Sequence, residues 1–178
     1  ILTVANRAVL AMCRQEDAAI GFKDLGAGGV SCVTSELCDA GGFGCDVDLA
    51  LVHQIIDLPA RVCACSETQE RYGLAVPRRL TARVLKIYNE DFALPDVYDG
   101  ACACRIGEVT AERRYVLRRG DEVLADAPID TITEGIRYDR PAAAPPREEI
   151  PADRRLTEAA PAAIADEWFA LMAHPNVA

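Results

Sequence analysis

What this sequence has little of narrows it first. It has no basic excess: 19 Lys and Arg stand against 28 Asp and Glu, a formal charge of −9. That balance argues against a nucleic-acid surface or an anionic membrane as partner. A phosphorylated substrate stays admissible, because a metal ion and a local nest of amides reverse the field. There is no run of about 18 apolar residues, so no membrane span is expected. No secretory signal is visible, so the expected location is cytoplasmic, and nothing points to an oxidising compartment where disulfides persist. The glycine-rich stretch lacks the Gly-Lys-Ser/Thr of a Walker loop, and it is not G-x-G-x-x-G.

What is present is enough for a real core. The chain has 178 residues and 51% of them are hydrophobic, which fits one domain, or one domain plus a piece of another. It starts at Ile1, with helical spacing from its first residues and no initiator Met, and reads as a fragment of something longer. Eight cysteines stand at 13, 32, 38, 45, 63, 65, 102 and 104. Cys63-Ala64-Cys65 and Cys102-Ala103-Cys104 invite a metal reading, but Cys-x-Cys is looser than a zinc pair and no His lies near. The favoured reading is small buried hydrophobes alternating onto one face of two strands.

The chain is organised around Gly21–Gly44. A short apolar run ends at Lys23 and Asp24. The loop Leu25-Gly26-Ala27-Gly28-Gly29 follows, and then Val30, Val33 and Leu37 recur at the spacing of one helix face. Strand, carboxylate, glycine loop and helix in that order aim bare amides and a positive helix end at one spot, which suits a phosphate. Asp24 beside that spot suits a hard cation such as Mg²⁺, shared with phosphate oxygens. Gly26, Gly28 and Gly29 are the candidate phosphate loop. The blander alternative is a tight turn that needs glycine for steric reasons. The pattern alone leaves both open.

In chain order, Ile1–Gln15 predicts a helix, Asp17–Phe22 the approach to a strand, Val30–Asp39 a helix and Phe43–Leu49 a half-buried strand. Ala50–Leu58 is a connection whose His53 is discounted as an ordinary packed or exposed residue. Arg61–Cys65 is apolar and leads into the dense polar run Ser66–Arg71. That run is either an exposed loop or one aiming its side chains at a ligand. Tyr72, Leu74 and Val76 alternate as a strand, and Pro77 opens a helix from Arg78 to about Glu90 with Leu80, Val84, Ile87 and Tyr88 inward. Ala101–Val109 predicts a strand. Arg114–Arg118 and Glu122–Ala127 form a hairpin around Arg119-Gly120-Asp121, where the tripeptide is turn chemistry, and Ile129–Ile136 extends or leaves the sheet. From Pro141 a proline-rich, charged linker begins, and Ala159–Met172 regains helical spacing. The expected division is residues 1–140 and 141–178.

Three stretches, Gly21–Gly29 (GFKDLGAGG), Ser66–Arg71 (SETQER) and Ile106–Val109 (IGEV), together resemble one family. It is the large subunit (subunit II) of phosphoribosylformylglycinamidine synthase, in the superfamily of aminoimidazole ribonucleotide synthetase and selenophosphate synthetase. Leu124–Asp130 (LADAPID), Tyr138–Pro141 and Leu171–Ala178 fit it too. The glycine motif is shared across the superfamily, and the SETQER run narrows it; Thr68 stands where Ser is common. The resemblance implies an α+β fold with a mixed, largely antiparallel sheet and helices packed on one face, incomplete at its N-terminus. It also implies an ATP-dependent ligase that converts formylglycinamide ribonucleotide to the amidine. Asp24 matches a magnesium ligand, and Glu67, Thr68 and Gln69 match a substrate-binding triplet. The ATP site is expected mainly in an amino-terminal lobe absent here. Ammonia would come from a separate glutaminase subunit, with a small bridging subunit as further partner, so no catalytic cysteine is expected. The alternatives are a sibling synthetase activity or a non-catalytic structural lobe.

Overall fold

The computed structural model describes residues 1–135, 137–143 and 161–174. The chain divides into two units, Ile1–Arg137 and Tyr138–Ala178. In the first, α1 (Leu2–Gln15) precedes β1 (Gly21–Asp24), α2 (Gly29–Ala40) and β2 (Gly44–Asp48). There follow α3 (Ala60–Cys65), β3 (Tyr72–Ala75), α4 (Thr81–Lys86), β4 (Gly107–Thr110), β5 (Arg114–Arg119), β6 (Glu122–Pro128) and α5 (Ile129–Thr133). In the second, α6 spans Pro161–Met172. The expected helix from Ala159 agrees with α6 from Pro161 on, whereas Ala159, most of the proline-rich linker and Pro175–Ala178 lie outside the described residues.

The strands form two sheets. One has the order β4-β2-β5-β6, with β2 and β5 parallel and the other neighbours antiparallel; the second is the antiparallel ribbon β1-β3. This is the mixed, largely antiparallel α+β architecture that the resemblance implies. Alternation in β2 turns Cys45 and Val47 to one face, where they meet Tyr115 and Leu117 of β5. On that face Val30, Val33 and Cys38 of α2, Cys63 and Ala64 of α3, and Ile129 of α5 close the core. Leu49 and Ile129 are fully buried, each stabilising by about 2 kcal/mol relative to exposure.

A second core joins α1 to the helical stretch after β3. Ala5, Val9, Met12 and Cys13 pack on Leu80, Val84, Ile87 and Tyr88, with Ile20 and Leu74 of the ribbon side against them. The expected single helix over Arg78–Glu90 is a tight 3₁₀ turn (Arg78–Leu80), then α4, then a wide π turn (Ile87–Asp91). The wide turn brings the consecutive residues Ile87 and Tyr88 both into the core.

Two expected strands are corrected. Arg61–Cys65 lies within helix α3, so Cys63 and Cys65, two positions apart, fall on different faces: Cys63 is buried and Cys65 exposed. Of Ala101–Val109 only Gly107 onward is strand; Ala103 is instead held by Asn89, whose side chain bonds both its amide and its carbonyl at 2.8 Å. Cys104 is exposed and Cys102 half-buried, so neither Cys-x-Cys pair alternates onto a buried strand face.

Candidate functional site

The site begins where β1 ends. Asp24 pairs across the ribbon with Tyr72, and the Leu25 amide donates to the Arg71 carbonyl at 2.9 Å. Phe22 stacks on Tyr72 with ring centroids 5.3 Å apart, which fixes the end of β1 against the start of β3. The Asp24 carboxylate is exposed and has no protein partner among the described residues. Its Oδ2 lies 3.6 Å from the position a Cβ on Gly26 would take, so it is turned over the glycine loop.

The loop is a turn closed by the Gly29 amide on the Gly26 carbonyl at 3.1 Å. Gly28 and Gly29 have φ of 76° and 56°, a region side chains rarely adopt. Gly28 caps α2 with no side-chain hydrogen bond, and the first amides of the helix have no acceptor within it. Gly29 also meets a steric demand. A Cβ there would collide with the Ser66 carbonyl oxygen and lie 3.0 Å from the Cys65 carbonyl carbon. At Gly29 the steric reading of the glycine pattern therefore has a direct physical cause, and its amide is already engaged in the turn.

The segment Ser66–Arg71 lies against that turn. Glu67, Thr68 and Gln69 are exposed, and the Gln69 amide nitrogen donates to the Glu67 carbonyl at 3.0 Å. Glu70 takes a left-handed φ of 59°, a conformation that costs free energy in a non-glycine residue. Arg71 holds the curl: Nε donates to the Thr68 carbonyl at 2.9 Å, and Nη2 donates to the Ser66 carbonyl and reaches Ser66 Oγ at 3.4 Å. Burial pulls the Arg71 guanidinium below its usual range. No role was expected of Arg71; the signal available in the sequence was a lone long cation ending a polar run just before a strand.

The structure thus sets the turn carrying Asp24, Gly26, Gly28 and Gly29 beside the loop carrying Glu67, Thr68 and Gln69, through backbone contacts at Leu25–Arg71 and Gly29–Ser66. No side-chain hydrogen bond joins Asp24 to Glu67 or Gln69. A cavity of about 680 Å³ in the first unit is lined by Thr68, Gln69 and Arg71, with Tyr72, Tyr88 and Arg105 among its other walls. Asp24, the three glycines and Glu67 do not line it.

For a metal, Asp24 offers one unengaged carboxylate beside a helix start. That suits a cation held jointly with phosphate oxygens and water rather than a protein cage. Among the described residues no three His, Cys, Asp or Glu side chains converge on a metal position. No helix among the described residues is long and apolar enough to cross a membrane.

Residues 4–120 match the family described as AIR synthase related protein, C-terminal domain. The chain belongs to this family. It is similar to phosphoribosylformylglycinamidine synthase subunit PurL of Methanothrix thermoacetophila, 41% identical over 178 residues, all of this chain and 23% of that protein. The chain therefore spans about a fifth of the length of the curated relatives it matches. Among solved structures, T. maritima PurL complexed with AMPPCP matches 89% of this chain and 26% of its own at 25% identity and a TM-score of 0.63. T. maritima PurL complexed with FGAR matches 78% of this chain and 22% of its own at 26% identity and a TM-score of 0.57.

Proposed function

We propose that this AIR synthase related domain is part of an ATP-dependent phosphoribosylformylglycinamidine synthase and supplies it with metal and substrate contacts. The observation that carries the reading is the junction between the two loops. A free carboxylate and a helix start lie next to an exposed acid, hydroxyl and amide, in a chain 41% identical throughout to a synthase subunit. Glu67, Thr68 and Gln69 offer mixed acceptors and donors suited to the hydroxyls and amides of formylglycinamide ribonucleotide. Gly26 and Gly28 keep side chains away from the start of α2, where phosphate oxygens meet amides. Gly29 adds the close approach to Ser66.

In this reading Asp24 would hold Mg²⁺, which would supply positive charge to offset that of phosphate oxygens. The chain's own contribution is to hold the ribonucleotide in place and keep fixed dipoles aimed at that charge. ATP is bound mainly outside this segment. Ammonia arrives from a glutaminase subunit assembled with a small bridging subunit, in the cytoplasm.

Asp24→Asn in the full-length enzyme tests this. Turnover is expected to fall about 100-fold, while stability changes by less than about 0.5 kcal/mol because Asp24 is exposed and unpaired. Unchanged turnover at saturating Mg²⁺ overturns the assignment.

A further inference from the structure

The three side chains assigned to substrate are exposed, and packing does not hold them. Their placement is inherited from the backbone of Ser66–Glu70. That backbone is not in a relaxed conformation, since Glu70 is left-handed at φ 59°. Besides the exposed Gln69 amide on the Glu67 carbonyl, what opposes relaxation is one half-buried guanidinium. Arg71 donates to the carbonyls of both Ser66 and Thr68 and reaches the Ser66 hydroxyl, and it has no carboxylate partner among the described residues. The Ser66 carbonyl that it grips is the same oxygen against which Gly29 closes, and the Arg71 carbonyl accepts from Leu25 next to Asp24. The Arg71 side chain therefore holds the curl of the loop, whereas its main-chain carbonyl, which any residue would supply, ties the loop to the Asp24 turn.

We infer that Arg71 is a positioning residue for substrate binding: its forked guanidinium fixes the loop that presents Glu67, Thr68 and Gln69 to the ribonucleotide. Arginine suits the task because its planar fork bonds two carbonyls at once, and a lysine ammonium is a point donor without that geometry. The inference rests on the functional reading above, so its test carries a control for that reading.

In the full-length enzyme, Arg71→Met and Arg71→Lys are compared with the double variant Thr68→Ala/Gln69→Ala, measuring KM for formylglycinamide ribonucleotide, KM for ATP and kcat separately. Both Arg71 variants are expected to raise the ribonucleotide KM about tenfold or more, with the ATP KM within about twofold. Arg71→Lys keeps the charge, so it reports on the fork even if Arg71→Met fails to fold. If the double variant raises the ribonucleotide KM and the Arg71 variants do not, the positioning role is overturned and the functional reading stands. If none of the three raises it, the functional reading fails and takes the inference with it. Equal rises in both KM values, or full rescue by lysine, also overturn the inference.

Discussion

At the scale of single residues, Tyr88 shows how a polar group is carried in an apolar core. Its hydroxyl donates to Asn6 Oδ1 at 2.7 Å, both residues being buried between α1 and the π turn. Burial pushes the phenol up to about 12. Tyr88→Phe leaves the Asn6 oxygen without its donor and is expected to cost about 1–3 kcal/mol in urea unfolding; a loss under about 0.5 kcal/mol would show the bond to be idle. The folded pKa lies above the unfolded value of about 10. The contribution is therefore complete below pH 10 and fades as pH rises toward 12, since the folded state holds the proton longer. Gly29 is a residue whose role the sequence left open between phosphate and sterics, because crowding by Ser66, 37 positions later, is invisible in a linear pattern.

At the scale of elements, the four-stranded sheet is pinned by a carboxylate. Asp48, at the end of β2, accepts from the Gly120 amide at 2.9 Å, the Ala50 amide at 2.9 Å and Arg118 Nη1 at 2.7 Å, which ties β2 to the β5–β6 turn. The Gly120 amide first, then the Ala50 amide and Arg118, hold its carboxyl below the usual carboxylate range against the effect of burial. Stability from this site is present above the unfolded value of about 4 and is lost as pH falls below it toward the folded pKa. Asp48→Asn is expected to lose about 2 kcal/mol at neutral pH and to flatten the acid limb of a urea-midpoint profile; an unchanged limb would remove Asp48 as its source. The elements most legible in the sequence were those whose signals are local. They are α1, α2, β2 and the β5–β6 hairpin, where 3.6 or 2-residue periodicity and a turn glycine decide. Two misreadings have tertiary causes. Cys63 and Cys65 were small and apolar enough for either element, and α3 won by packing on α2. Ala101–Arg105 was apolar enough for a strand, but Asn89 took the hydrogen bonds that a neighbouring strand would need. The candidate loops were legible as motifs. The clamp by Arg71 was not, because it depends on a fold in the chain that spacing does not encode.

At the scale of the whole molecule, thiol exposure gives a global readout. Cys13, Cys38, Cys45 and Cys63 are buried, Cys32 and Cys102 intermediate, and Cys65 and Cys104 exposed. Burial pushes the Cys13 and Cys63 thiols up; the neighbouring Cys38 sulfur and burial push Cys45 up, keeping it in the unreactive form. Brief iodoacetamide treatment of the folded chain is therefore expected to label Cys65 and Cys104 first by peptide mass spectrometry. Comparable early labelling at Cys13 or Cys45 would contradict the core described here. The parallel pairing of β2 with β5 has a consequence for how the chain is made. Cys45 meets Tyr115 only after about 70 further residues have been added, and its other neighbour, β4, is almost as late. A nascent chain emerging from the ribosome thus carries β2 with both edges bare until synthesis has passed Thr110, and with one edge bare until it has passed Arg119; the oily side of that strand is most open to chaperones or misassembly in that interval.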